Sequence, residues 1–396
     1  MPKLFASFSN APRELKIFAL ASLSMGMGYS IFDSIFNNYL NESYTINGWQ
    51  RSFLEFPREL PGFLVVFVSA ALWFLCSRRL GSLAMLLSFV GVLLIGFVAP
   101  TYSIMLLFLF VYSLGQHLFM PVAQTIGMEL ATEGQTGKRL GQLNSIRNAA
   151  TIIGSFLVFV TFKYLGFEFK DSFVMVALFL GVAMLLMYSM TPEPTVEKRS
   201  FLQLKKEYNL YYILSILAGS RKQLFITFAP WVIVSVLKQP TQTIATLLTI
   251  GGVIGVVFQP FLGKLIDKRG ERFVLAAESV LLVFVCLGYG FSKFILPESI
   301  VLFAICFFYL ADQILFSVSM ARSMYIKKIA LNNADVQPTL AAGVTIDHIF
   351  SILVALLGGW VWNTFGFQYV FLIGVAIAAI NFYFALQVRV PVRAAA

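Results

Sequence analysis

The side chains best able to do chemistry here are charges set inside long apolar runs. Gly219-Ser220-Arg221-Lys222-Gln223 falls midway through the run 208–237, and Asp312-Gln313 midway through 298–326. Asp347-His348 interrupts 338–364, and Arg147 interrupts 139–165. Neighbouring residues on a helix point about 100° apart, so at most one of Arg221 and Lys222 faces a given partner squarely. Such cations could bind an anionic or strongly polar group, or balance a titrating carboxylate. The plain alternative is snorkelling or a structural ion pair. Asp312, among Phe307, Phe308, Leu315 and Phe316, would be desolvated, which suits a proton carrier. The alternative is an aspartate held ionised by Arg221 or Lys222. His348 is of the type that titrates near neutral pH, although a lone histidine is more often simply hydrogen-bonded.

A second set of polar groups is milder. Gln116-His117 and Gln124 supply hydrogen-bonding groups within 102–131. Asp33, followed by Asn37 and Asn38, lies in 15–40. Arg51, Glu55, Arg58 and Glu59 open the run 48–76, which Pro57 and Pro61 interrupt and bend. Glu55 shares a helix face with Arg58 and Glu59. This set reads as an outer gate or vestibule, or else as an ordinary solvated helix end.

The elements that carry these residues must cross a membrane. The chain has 396 residues, 59% hydrophobic and 12% charged, against about 25% charged in a soluble domain. Its mean hydropathy is +0.82. A membrane-spanning helix needs about 20 mostly apolar residues. That ruler marks spans near 15–40, 48–76, 79–99, 102–131, 139–165, 171–191, 208–237, 240–266, 271–292, 298–326, 338–364 and 367–389. The expectation is an all-α protein of twelve spans. Residues 1–191 would form one six-helix bundle, 192–207 a basic cytoplasmic linker, and 208–396 a second bundle. A short amphipathic helix on the membrane surface is expected within the linker.

The formal net charge is +10, and most of the 29 Lys and Arg fall in the segments expected on the cytoplasmic side. That bias orients a multi-pass protein of the cell membrane with both termini inside. It makes the basicity topological and argues against a nucleic-acid partner. Cys76, Cys286 and Cys306 lie in or beside apolar runs with no CxxC spacing, so neither disulfides nor a metal site is expected. No cofactor is expected.

Between two of the runs stands Gly263-Lys264-Leu265-Ile266-Asp267-Lys268-Arg269-Gly270-Glu271-Arg272. Gly263 would let neighbouring helices approach, Asp267 would end a helix and pair with cations on a neighbour, and Lys268, Arg269 and Arg272 would hold the cytoplasmic side. The order Gly-x-Leu-Ile-Asp-Lys-x-Gly-x-Arg resembles the loop signature of the major facilitator superfamily. The first half keeps the basic pair at Arg78-Arg79 but has Ser77 where Asp267 stands. A weak repeat agrees with the resemblance: Ser145-Ile146-Arg147 aligns with Thr345-Ile346-Asp347, and Leu165-Gly166-Phe167 with Phe365-Gly366-Phe367.

The resemblance implies two six-helix bundles facing a substrate cavity and a secondary transporter that rocks between two open states. It implies that Arg147 and Asp347, at equivalent repeat positions, approach one another in some state. Candidate deep charges are then Arg147, Arg221 and Lys222 against Asp312 and Asp347. If Arg147 pairs with Asp347, two cations remain against one acid, which favours an anionic solute. The assigned roles are solute binding for Arg221, Lys222, Gln223, Arg147, His117 and Gln116, and proton coupling or gating for Asp312, Asp347, Asp33, Glu55, Arg58 and Glu59. The expected function is proton-coupled transport of a small organic, anionic solute, by a monomer, with sodium coupling open. The alternative is an exporter of amphipathic drugs or lipids, which the many aromatic and Met residues suit. The arginine found in the superfamily's proton-linked motif is missing from 102–131, and 139–165 contains no proline, which counts against the common drug/proton antiporters. No Gly-x-Ser-x-Gly, His-Glu-x-x-His or phosphate-binding loop is present, so an enzyme or an ATP-driven pump is not expected.

Overall fold

A computed structural model describes residues 11–132, 136–192, 204–332 and 335–390. Among the described residues, with two short 3-10 turns and one π-helical turn between them, there are thirteen α-helices. They are α1 (Arg13–Tyr44), α2 (Gly48–Phe53), α3 (Glu55–Ala71), α4 (Ser77–Phe97), α5 (Tyr102–Glu129), α6 (Thr136–Tyr164), α7 (Phe169–Ser189), α8 (Asn209–Trp231), α9 (Thr241–Ile295), α10 (Glu298–Leu315), α11 (Ser319–Ile329), α12 (Val336–Phe365) and α13 (Phe367–Ala385). Among the described residues, nine helical stretches are long and apolar enough to cross a membrane. One of them, α9, runs for 55 residues and breaks at Gly270, so it supplies two spans. With α2–α3 and α8, the arrangement is the expected twelve-span one.

Local chemistry sets the ends of these helices. The Asn47 side chain accepts from Gln50 N at 2.9 Å, and Gln50 Oε1 accepts from Asn47 N at 3.0 Å, a reciprocal cap that starts α2. Asp171 Oδ2 accepts from Glu168 N at 2.8 Å at the start of α7. The break in α9 falls at the second glycine of the loop signature, whose φ of +81° and ψ of 164° favour a residue without a side chain. Here two expectations are corrected. A Cβ on Gly263 would meet nothing within 4 Å, so it admits no close neighbour in this structure. The helix also runs past Asp267, which is exposed; Glu271 instead makes the ion pair to another helix, with Lys328 on α11 at 2.6 Å.

The chain packs as two compact units. The first comprises Met1–Tyr44, Leu64–Ser200 and Thr241–Gly252. Its core pairs α4 with α5, α1 with α6 and α7, and α4 with α7. At Gly115 a Cβ would lie 2.3 Å from the Ala84 carbonyl oxygen, so only glycine lets α5 and α4 touch there. Serines join the helices: Ser24 donates to the Phe179 carbonyl at 2.7 Å, and Ser82 to that of Met184 at 3.1 Å.

The second unit comprises Thr45–Phe63, Phe201–Pro240 and Val253–Ala396. It therefore takes α2 and the start of α3, which the expected split at 191 and 208 assigned to the other bundle, while the opening of α9 goes to the first unit. Packing explains both. In the second unit, the Trp362 ring fills the space a Gly48 side chain would need, 2.3 Å from its Cβ position. In the first, Thr249 Oγ1 donates to Ser155 Oγ at 3.0 Å. The expected linker helix lies mostly outside the described residues; Lys206–Tyr208 forms a short 3-10 turn into α8.

Candidate functional site

Three consecutive residues of α8 reach four different acids of the second unit. Arg221 is 2% exposed. Its Nη1 donates to Asp312 Oδ1 on α10 at 2.5 Å, and its Nη2 to Glu278 Oε1 on α9 at 3.2 Å. Arg322 on α11 reaches the other oxygen of Glu278 at 3.2 Å. The Arg221 guanidinium lies 4.9 Å from the centre of the Phe316 ring, an apolar and weakly attractive ceiling. Lys222 Nζ donates to Asp347 Oδ2 on α12 at 3.0 Å. A Cβ on Gly219 would sit 1.3 Å from Asp347 Oδ1, so the carboxylate rests against the bare backbone of α8. Gln223 Nε2 donates to Glu55 Oε2 at 3.0 Å and to Thr227 Oγ1 at 3.0 Å. The 100° step between neighbours on a helix thus serves all three residues at once.

Helix α2–α3 brings more charge to this unit. Arg51 Nη1 meets Glu55 Oε1 at 2.6 Å, both side chains fully buried, and Arg58 approaches the same oxygen at 3.6 Å. Glu59 Oε2 lies 2.7 Å from His348 Nδ1 on α12. These groups are therefore no ordinary solvated helix end. Burying so many ions is tolerable only because each is paired. Among the described residues, these pairs join five basic side chains (Arg51, Arg58, Arg221, Lys222, Arg322) to five acidic ones (Glu55, Glu59, Glu278, Asp312, Asp347), with His348 as a neutral or sixth basic member.

That balance revises the expected surplus of one positive charge. Arg221 and Lys222 are both spent on acids of their own unit, and Asp347, expected to meet Arg147, is bonded to Lys222. Two members, Glu278 and Arg322, were not assigned a role from sequence. Their signal was present: Glu278 is the one charge inside the apolar run 273–289.

Asp33, Gln116 and Arg147 lie in the first unit, around a cavity of about 200 Å³. Asp33, Tyr29 and Ser30 of α1, Gln116 of α5, and Arg147 and Thr151 of α6 form its polar wall. Ser30 Oγ donates to the Thr151 carbonyl at 2.7 Å, tying α1 to α6 beside the cavity. Arg147 is exposed and donates to the Asn144 side chain one turn back. His117 does not line this cavity: it is buried, with Nδ1 2.9 Å from the Ser113 carbonyl oxygen of its own helix. At the loop signature, Lys268, Arg269 and Arg272 are exposed, and Arg269 packs 5.4 Å from the Phe273 ring centre.

A family profile, the Major Facilitator Superfamily, matches residues 18–328. The chain belongs to the major facilitator superfamily. Solved members agree in fold. The nucleoside transporter NupG aligns with a TM-score of 0.73 at 13% identity, covering 95% of this chain and 99% of its own. A D-xylose–proton symporter aligns with a TM-score of 0.71 at 16% identity, covering 95% and 97%. The inward-open xylose transporter XylE from E. coli gives 0.66 at 15% identity, covering 93% and 95%. No curated protein sequence matches. As a superfamily member this is a multi-pass membrane protein with a transporter fold.

Proposed function

We propose that this superfamily member is a secondary active transporter of a small anionic organic solute, moved by alternating access and coupled to protons. The observation that carries the solute class is Arg147: it lines, with Asp33 as the acid of the same wall, a cavity that also offers Tyr29, Ser30, Gln116 and Thr151 as hydrogen-bonding groups. With Arg221 and Lys222 bound to acids, the anion-binding role passes from them to Arg147. A cavity of about 200 Å³ is on the scale of a small metabolite rather than a polymer. Asp312, paired on one oxygen only, is the proton carrier, and Asp347, Glu55, Arg58, Glu59 and Asp33 tune gating. The protein lies in the cell membrane with both termini in the cytoplasm and works as a monomer.

The second reading, export of amphipathic compounds, draws on the other wall of the same cavity, where Met25, Phe119, Met120 and Leu248 present apolar surface. One experiment separates the two. The thermal midpoint of the purified protein is measured at pH 5.5 and 7.5 with succinate, a phosphate monoester, xylose, uridine and tetraphenylphosphonium. A ligand at 100 times its Kd adds about 2.7 kcal/mol to the native state. Stabilisation by one of the anions, lost in Arg147→Ala and kept in Lys222→Ala, supports the anion reading. Stabilisation by tetraphenylphosphonium alone, indifferent to Arg147, replaces it with the exporter.

A further inference from the structure

The two acids beside Arg221 are not equivalent. Glu278 is held on both oxygens, by Arg221 and by Arg322. Asp312 is held on one; its Oδ2 is buried and meets no hydrogen-bond partner among the described residues. A buried acceptor left unmade is costly, and a proton placed there turns it into a donor and lowers its charge. With both acids ionised, the two arginines and two acids sum to zero. Cys286 and Tyr289, also on α9, lie within the field of Asp312 but are neutral groups.

We infer that Glu278 and Arg322 form a standing ion pair that keeps Arg221 in place, leaving Asp312 as the one carboxyl of the cluster that takes and releases the coupled proton. The inference rests on the proton-coupled reading above and adds two residues to it. On loading, an O–H bond forms at Asp312 Oδ2 with a proton from the aqueous side. Arg221 stays a guanidinium, now paired with Glu278 alone, and the cluster gains one positive charge. On unloading that bond breaks, the proton leaves to water on the other side, and Arg221 returns to Asp312. Glu278 does not take this part, because it contacts both guanidiniums: protonating it would leave Arg322 without its acid, whereas protonating Asp312 leaves both arginines paired with Glu278. Glu278 and Arg322 are therefore positioning residues.

The proton itself is the probe. Infrared difference spectra of the full-length protein in liposomes are recorded between acid and neutral pH, following the protonated-carboxyl band. Asp312→Asn removes one component of that band. Glu278→Gln withdraws a negative charge and weakens the same component at every pH, because the surplus of positive charge disfavours loading. Arg322→Gln withdraws a positive charge and strengthens it. Glu278→Asp restores a signal close to wild type. A purely structural role would not move the band in opposite directions for the two neutralisations. The inference is overturned if the component survives Asp312→Asn, if Glu278→Gln abolishes it while Asp312→Asn does not, or if the neutralisations leave it unchanged. Should Glu278→Gln fail to fold, Arg322→Gln and Glu278→Asp still decide. Proton-driven uptake is scored separately: a band that behaves as stated in a protein that transports without a pH gradient sinks the coupling reading and leaves this assignment standing.

Discussion

Replacing Arg221 with Gln gives a sharp test of the buried cluster. The side chain is 2% exposed and bridges two acids, so its loss leaves Asp312 without a cation and Glu278 with Arg322 only. Removing one partner of a buried ion pair costs roughly 3–5 kcal/mol, because an uncompensated charge stays behind. Asp312→Asn costs less, on the order of 1–3 kcal/mol, since Arg221 keeps Glu278. The double variant removes both members and leaves Glu278 with Arg322. Simple addition predicts a loss of about 4–8 kcal/mol; residues in one network couple, and the saving is expected to exceed the cost of Asp312→Asn alone, up to roughly 3 kcal/mol. The assay is the thermal midpoint of each purified variant at one scan rate. The expected order is wild type, Asp312→Asn, the double variant, then Arg221→Gln. The deficit of Arg221→Gln should also be smaller at pH 5 than at pH 8, because the stranded Asp312 escapes its charge by taking a proton. A double variant no more stable than Arg221→Gln, with no pH dependence, would refute the argument that pairing is what makes the burial tolerable.

Other consequences follow from the same geometry. Gly270→Ala forces a side chain into a backbone region that nearly only glycine occupies and should cost roughly 1–3 kcal/mol, whereas Gly263→Ala, mid-helix with nothing within 4 Å, should be neutral or stabilise by up to about 1 kcal/mol; thermal midpoints of the pair check this. Gly219→Ala should displace Asp347 and so reproduce the effect of Lys222→Ala on uptake, and a clean difference between the two in proteoliposome transport would count against it. On the aqueous face, Lys205 Nζ and Tyr208 hydroxyl donate to the two oxygens of Asp335 at 2.7 and 2.8 Å, which holds that carboxyl below its ordinary range and the lysine above its own. A lowered acid contributes above its unfolded value and is lost as pH falls through the folded one; a raised lysine is lost only as pH rises through its own. This clasp should therefore persist from about pH 4 to about pH 10 and open below. Hydrogen exchange at the Leu331 amide, which donates to Tyr208 at 3.0 Å, should be slow across that window and fast throughout in Asp335→Asn.

What could be read from the sequence divides along a physical line. Twelve spans follow from run length and apolar content, because a bilayer demands about 20 apolar residues whatever surrounds them. That Arg221, Lys222, Asp312 and Asp347 mattered was readable for the same reason: charge in an apolar run needs a partner. Which partner each takes was not readable, since that depends on helix rotation and on small residues elsewhere. Asp347 reaches Lys222 because Gly219 leaves room for it. Gln223 reaches Glu55 because the packing of Trp362 on Gly48 carries α2 into the second unit, across the boundary that counting spans suggested. The loop signature was recognisable as a string, but the roles within it moved: Gly270 rather than Gly263 has the special backbone, and Glu271 rather than Asp267 has the interhelical partner.

The even charge count of the paired cluster around α8 constrains how such a protein can work. A surplus cation would bind an anion whether or not a proton was present, and binding the two states equally shifts no equilibrium. A neutral cluster with one weakly held carboxyl behaves differently, because a single proton changes its net charge from zero to one. That change is worth little in water but much where the groups are as buried as Arg221 and Asp312. Coupling therefore does not require a large local rearrangement, only that the loaded and unloaded clusters favour different packings of α8, α9, α10 and α11 around them. On the proposed function, an anion carried in the same cycle as the proton would offset the charge that the proton adds. This is the physical reason for expecting the two to move in the same direction, and symport measured as anion-dependent acidification of the receiving side would bear it out, while acidification of the donor side would require the opposite stoichiometric sign and an antiport cycle.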